Sequence, residues 1–192
     1  MDSAQPKQPA TYFTAAPWKL ALMSLCTSGI YDLYWFYRNW KLYKQRTGLR
    51  IRPVERAIFT IFFAYSLFDD ICDKAGSSGV QKTFHPAMLA LAYVSIFVTT
   101  ALPTPLGYIS YATFIPLIIA NELAAAVSRA NDPDFVENNR LSIGNMIAIV
   151  LGLGYIAANV ALEHMQGPNA GMSSMQEILK ISEQLNQLNL NQ

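Results

Sequence analysis

Charged residues are scarce in this chain, and cysteine and histidine are scarcer still. Only 14% of its 192 residues are charged and 52% are hydrophobic, whereas about a quarter of an ordinary soluble domain is charged. The net charge is +1, so the chain lacks the overall basic excess of nucleic-acid-binding proteins. This composition indicates a protein whose solvent is a lipid bilayer.

Recognisable catalytic chemistry is also lacking. Cys26, Cys72, His85 and His164 are isolated from one another in the sequence and do not have the spacing of metal ligands. There is no nucleophile elbow, zinc-protease motif or phosphate-binding loop. The first sixteen residues also lack the basic start and apolar core of a signal peptide. The sequence predicts no catalytic residue, no cofactor and no metal, and a protein that is not an enzyme.

Long apolar runs, in contrast, occupy most of the chain. A helix that crosses a bilayer needs roughly 20 apolar residues. Five runs approach this requirement, the first two being weakened by charges: residues 17–37, 54–71, 86–102, 106–127 and 143–162. A Pro-Thr-Pro turn joins the third run to the fourth, and Ser142 is expected to cap the fifth. We predict an all-α integral membrane bundle of four to five transmembrane or re-entrant helices.

The two ends of the chain differ from this membrane domain, which we place at residues 12–165. Residues 1–11 form a polar N-terminal tail, and residues 166–192 combine a linker with a short amphipathic helix. A capping box is formed by Ser174 and Glu177. Two heptads of apolar residues follow it: Ile178, Ile181, Leu185 and Leu188. This seam is too short for a stable isolated coiled coil.

One stretch, residues 38–56, holds half of the 14 lysines and arginines. They are Arg38, Lys41, Lys44, Arg46, Arg50, Arg52 and Arg56. The positive-inside rule predicts a cytoplasmic loop there, whose cations also suit anionic lipid headgroups. Aromatic residues beside such charges are typical of the headgroup layer, so we interpret Tyr31, Tyr34, Trp35, Tyr37 and Trp40 as an interfacial anchor.

The same stretch resembles a known family. The sequence SLCTSGIYDLYWFYRNWKLYK is similar to the signature of a bacterial membrane-protein family called domain of unknown function 4234. The matching positions are Thr27, Gly29, Ile30, Tyr31, Tyr34, Trp35, Phe36, Tyr37, Asn39, Trp40 and Lys41. The similarity continues through RPVERAIF, Asn131 and NMIAIVLGLG, and covers roughly residues 12 to 162. It implies a multi-span module of the bacterial cytoplasmic membrane, but no activity or substrate.

Three polar residues within the apolar runs are candidate functional sites. Asp32 stands where the family has a small residue. Three roles are open for it: a position at the membrane interface, a structural hydrogen bond within the bundle, or a functional proton or ion site. Asn121 and Glu122 follow Pro116, which is expected to kink their helix. We predict an accessory or scaffold module. The alternative is a small transporter or channel using Glu122 and Asp32, followed by a lipid-acting enzyme with a pocket near Asp69–Asp73.

Small residues also recur every four positions in the last run. Gly144, Ala148 and Gly152 share one helix face, where another backbone can approach closely. This face packs within one chain, in a homo-oligomer, or against a partner membrane protein; nucleic acid is not an expected partner.

The topology has three alternatives. Five full crossings put the N-terminus outside and the C-terminus inside. A re-entrant second run, with the first still crossing, moves the C-terminus outside. A re-entrant first run, which Gly29 permits, keeps the N-terminus inside.

Overall fold

The computed structural model describes residues 10–102, 106–166, 179–183 and 186. Over these residues the structure is helical, with one isolated bridge between Ala15 and Asn138, so the predicted all-α class is confirmed. The helices are α1 (Pro17–Cys26), α2 (Ile30–Thr47), α3 (Pro53–Ile58), α4 (Thr60–Ser77), α5 (Pro86–Val98), α6 (Phe114–Asn131) and α7 (Ile143–Gln166). Two 3₁₀ segments, Thr99–Ala101 and Leu106–Thr113, lie between α5 and α6.

The chain divides into two compact units, Met1–Gly152 and Leu153–Gln192. In the second unit the structure describes the end of α7, a helical turn at residues 179–183, and residue 186. The predicted capping box and most of the apolar seam lie outside the described residues, as does the Pro-Thr-Pro turn at residues 103–105.

The first apolar run is not one helix. α1 has 10 residues and is therefore about 15 Å long, half of a bilayer core. The Thr27 and Gly29 N–H groups close its end on the carbonyls of Met23 and Ser24. Gly29 has a φ of 84°, a conformation for which glycine is strongly preferred. The chain then restarts as α2, so residues 17–37 do not form one continuous helix.

The second run is also divided, because Phe59 separates α3 from α4. The basic stretch is mostly helical: α2 ends at Thr47 and is capped by Gly48, with a φ of 69°, and α3 begins at Pro53. The predicted loop over residues 38–56 is therefore wrong, and only residues 48–52 connect the two helices.

Aromatic side chains of α2 form the centre of the bundle. Trp35, Phe36 and Trp40 are 0% exposed, and the Phe36 ring lies 5.3 Å from both the Trp35 and Tyr93 rings. α2 is covered on this side by other helices, so the interfacial anchor is wrong for Trp35 and Trp40. Tyr31 is also buried, Tyr37 is half-buried, and Tyr34 is exposed.

Pro116 lies in the first turn of α6 and not in the interior of a helix, where the predicted kink requires it. α6 begins at Phe114, so Pro116 is its third residue. The backbone N–H that proline lacks has no partner within the helix in a first turn. The change in geometry falls earlier, where the 3₁₀ segment ends at Thr113.

The outer surface is strongly apolar. Two helical segments, Leu106–Asn131 and Ile143–Leu162, are long and apolar enough to cross a membrane, and Pro86–Ala101 is a shorter apolar helix. Large apolar side chains are exposed along α3, α4, α5 and α6 as well as on α7. Soluble monomers rarely expose apolar patches of such extent.

Candidate functional site

A non-helical segment before α1, Thr11–Ala16, is inserted into one end of the bundle; we call it the strap. Tyr12, Thr14, Ala15 and Ala16 are buried, and the segment belongs to no helix and no named strand. At its end, the Ala16 carbonyl accepts from the Leu20 N–H of α1 at 2.9 Å. Buried backbone N–H and C=O groups almost always find partners, and side chains from distant helices supply them at Thr11, Phe13 and Ala15.

Two buried asparagines, Asn39 and Asn121, bind the strap as a neighbouring strand would. Asn39 Oδ1 accepts from the Phe13 N–H at 3.0 Å, and its Nδ2 donates to the Phe13 carbonyl at 3.1 Å. Asn121 pairs in the same way with Ala15, at 3.0 and 2.7 Å. Residues two apart in an extended chain face the same side. The backbone N–H and C=O groups of Phe13 and Ala15 therefore lie along one edge of the strap, and one asparagine binds each residue. We call this pair the Asn clamp.

Trp35 joins the two halves of the clamp. Its indole Nε1–H donates to Asn121 Oδ1 at 3.0 Å, and its carbonyl accepts from Asn39 Nδ2 at 3.0 Å. Trp35 and both clamp residues are fully buried. The clamp is therefore a closed network in which both amides are oriented by the tryptophan between them.

An ion pair holds the beginning of the strap. Arg46 lies 2.5 Å from the Asp70 carboxylate and donates to the Thr11 carbonyl at 2.8 Å. The Tyr12 hydroxyl donates to Asp70 at 2.7 Å, and the Arg46 guanidinium lies 4.9 Å from the Tyr12 ring centre. Burial raises the pKa of the Tyr12 phenol, and the Asp70 carboxylate raises it further. The phenol is therefore a stable hydrogen-bond donor.

The end of the strap contacts the segment that leads into α7. The Ala16 N–H donates to the Asn138 carbonyl at 3.3 Å. The buried Lys19 ammonium donates to Asn138 Oδ1 at 2.8 Å and to the Arg140 carbonyl at 2.7 Å. The Trp18 indole donates to Asn139 Oδ1 at 2.7 Å. These contacts bring the N-terminal segment and the α6–α7 connection to the same end of the bundle.

Asp32 occupies a different part of the first unit. It is buried in the first turn of α2, where Ser24 donates to one carboxylate oxygen and Thr113 donates to the other at 2.8 Å. Of the three alternatives for Asp32, this arrangement corresponds to the internal hydrogen bond. Glu122 lies on the exposed side of α6, so the two carboxylates do not face one another across a shared site.

The remaining sequence-predicted residues are spread over the surface. Arg38 lies 5.0 Å from the Phe13 ring centre, and Arg52 pairs with Glu55 at 2.6 Å. The other members of the basic stretch, apart from Arg46 and Arg56, are exposed: Lys41, Lys44 and Arg50.

The small-residue face of α7 lies against protein in its middle part. Gly152 is so close to the Cys26 carbonyl that a methyl group there would collide with it, and Ala148 packs against the core. Gly144 approaches only the side chain of Ser142. The Ser142 hydroxyl accepts from the Asn145 N–H at 3.3 Å, as expected for a helix cap.

Comparisons of the chain with protein-family models, with curated proteins and with solved structures found no match. The resemblance to domain of unknown function 4234 therefore stays a prediction.

Removing the Tyr12 hydroxyl tests the first contact of the strap. We expect Tyr12→Phe to lower the free energy of unfolding by about 1 kcal/mol, the usual worth of one hydrogen bond. The ring, its contact with Arg46 and the Arg46–Asp70 pair all remain. The measurement is thermal unfolding of the purified protein in detergent. Tyr65→Phe, at an exposed position of α4, is the control and should change nothing; equal losses in both would contradict the assigned hydrogen bond.

Proposed function

We propose that the chain is a non-enzymatic integral membrane module that serves as an accessory or scaffold protein in the bacterial cytoplasmic membrane. The observation that carries this proposal is that the buried polar side chains hydrogen-bond within the bundle. Asn39, Asn121 and Asp32 each hydrogen-bond to other parts of the same bundle. Their polar groups fix the packing of apolar helices and are not gathered around a shared site for substrate.

The apolar surface supports the membrane assignment. In the proposed arrangement, α5, α6 and α7 cross the bilayer, and the 3₁₀ segments between α5 and α6 lie at the far side. No charged residue occurs between His85 and Glu122, which suits a segment that must enter and leave the hydrocarbon layer.

Contacts at the other end support a re-entrant arrangement for the first two apolar runs. Arg46, near the end of α2, contacts both the strap and Asp70 of α4. Ser78, which follows α4, hydrogen-bonds to Asn131 at the end of α6 at 2.9 Å. The strap and the ends of three helices thus meet at the end that carries many of the basic residues. The positive-inside rule places this end in the cytoplasm, and the N-terminus with it.

The alternative prediction is transport, which requires a specific arrangement of two carboxylates. A proton or cation route through the bundle needs Glu122 and Asp32 to line one polar passage. Asp32 is buried beneath Ser24 and Thr113, whereas Glu122 is exposed. This separation favours the scaffold over the transporter.

Labelling of single cysteines tests the topology. In a background with Cys26→Ala and Cys72→Ala, we expect Ser3→Cys and Lys44→Cys to react with an impermeant thiol reagent only in inverted vesicles. Thr104→Cys should react only in intact cells, because the proposed arrangement puts the 3₁₀ segments before and after this position outside. Labelling of Ser3→Cys and Lys44→Cys from opposite sides would overturn the re-entrant arrangement, and release of the protein by alkaline extraction would overturn the membrane assignment.

The same method distinguishes the alternative function. Glu122→Cys should be shielded from small aqueous reagents on both sides if the bundle is a packed module. Reaction from one side, with its apolar neighbours protected, would reveal a water-filled route and favour transport instead.

A further inference from the structure

The Arg56 side chain of α3 is a cation without an anion. Its guanidinium carbon lies 4.4 Å from the Trp40 ring centre and 5.0 Å from the Phe63 ring centre, and the residue is half-buried. Within residues 10–102 and the other described ranges, its side chain has no ion pair and no hydrogen bond. Two aromatic rings hold the guanidinium in place, and its charge is not neutralised.

Two other arginines in the basic stretch already have a carboxylate partner. Arg46 also lies over aromatic rings, but it pairs with Asp70. Arg52 pairs with Glu55, the residue directly before Arg56, so the nearest carboxylate in the sequence is already engaged. An external anion would complete the Arg56 site as Asp70 completes that of Arg46.

The surface around Arg56 is apolar. Val54, Ile58 and Phe59 are each more than half exposed, and Phe62, one turn further on, is 76% exposed. Aromatic rings that lie against the faces of a guanidinium leave its N–H edge free for hydrogen bonds. The site therefore presents hydrogen-bond donors and positive charge at the border of a surface suited to hydrocarbon.

We propose that Arg56 binds the phosphate group of an anionic phospholipid, whose acyl chains lie along Phe59 and Phe62. A guanidinium matches two phosphate oxygens in a bidentate contact. A headgroup without an ammonium of its own is preferred, because an internal cation would compete with Arg56 for the phosphate. This inference rests on the proposed membrane location and adds a defined lipid site to it.

Lipid binding to the full-length purified protein tests the site. Native mass spectrometry in detergent would follow added phosphatidylglycerol, with phosphatidylcholine and inorganic phosphate as separate arms. We expect phosphatidylglycerol to bind about tenfold more weakly to Arg56→Gln than to the natural chain, since a charge-assisted contact is lost. Arg50→Gln removes an exposed arginine from the neighbouring connection and should bind as the natural chain does.

Each outcome decides between distinct possibilities. Equal lipid binding by Arg56→Gln and Arg50→Gln would overturn the site. Displacement of phosphatidylglycerol by millimolar inorganic phosphate would assign the site to free phosphate and not to lipid. Arg56→Lys keeps the charge but not the bidentate geometry, so we expect it to bind phosphatidylglycerol with intermediate affinity. If Arg56→Gln melts at a lower temperature than the natural chain, Arg56→Lys is used for the test instead. Binding by Arg56→Lys equal to that of the natural chain then overturns the proposal. Alkaline extraction of the natural chain tests the membrane location independently.

Discussion

Replacing Asn121 with leucine should lower the free energy of unfolding by at least about 3 kcal/mol. The side chain is fully buried, and leucine has a similar size but no polar atoms. Three groups would lose their partner: the Ala15 N–H and carbonyl and the Trp35 indole N–H. An unsatisfied buried donor or acceptor costs about 1–3 kcal/mol, and water cannot easily enter a packed bundle to replace it.

Thermal unfolding in detergent measures this effect, and proteolysis within the strap shows where the structure opens. We expect Asn121→Leu to expose the strap to protease at temperatures where the natural chain resists it. Asn159→Leu is the matched control, because Asn159 is exposed and its amide donates only to the Tyr155 carbonyl of its own helix. If the two variants lose equal stability, the Asn clamp does not hold the strap.

The general class of the fold was readable from the sequence because apolar runs have a clear composition. All five predicted runs are largely helical, and Gly29 does lie at a helix break. A hydropathy window, however, cannot distinguish a helix that crosses from one that turns back. Beside the break after α1, the Asp32 carboxylate accepts from Ser24 and from Thr113, and Thr113 is 81 residues away in the sequence.

The aromatic signature shows a second limit of prediction from the sequence. Trp35 and Trp40 lie among basic residues in the sequence, and such proximity favours an interfacial position. On a helix, however, Tyr31, Trp35 and Asn39 lie four residues apart and share one face, which is the face that α2 buries. Their periodicity indicated a core position, and this signal was available in the sequence.

The strap had no such signal. It is six residues long and is held by side chains that lie 26 and 106 residues away. Its buried positions do not alternate regularly, so they give no strand pattern, and a side-chain amide that takes the place of a neighbouring strand leaves no pattern of its own in the sequence. Only the folded structure brings Asn39 and Asn121 together.

Substituting Gly152 with alanine should destabilise the protein, although alanine is the better helix former. A Cβ atom at this position would lie 2.7 Å from the Cys26 carbonyl carbon and closer still to its oxygen. Both are backbone atoms at the end of α1, so neither can move as a flexible side chain would. Overpacking of this kind costs typically about 1–3 kcal/mol, and we expect the melting temperature to fall by several degrees.

Gly154, two residues further along α7, provides the matched control. A Cβ atom there meets nothing within 4 Å, so Gly154→Ala should be neutral or should raise the free energy of unfolding by up to about 1 kcal/mol through helix propensity. A loss of stability in Gly152→Ala together with a gain in Gly154→Ala would separate the effect of close packing from that of helix propensity. A gain of stability in both variants would show that α7 does not approach Cys26 closely. If the loss in Gly152→Ala depends on protein concentration, this face belongs to a contact between copies of the chain.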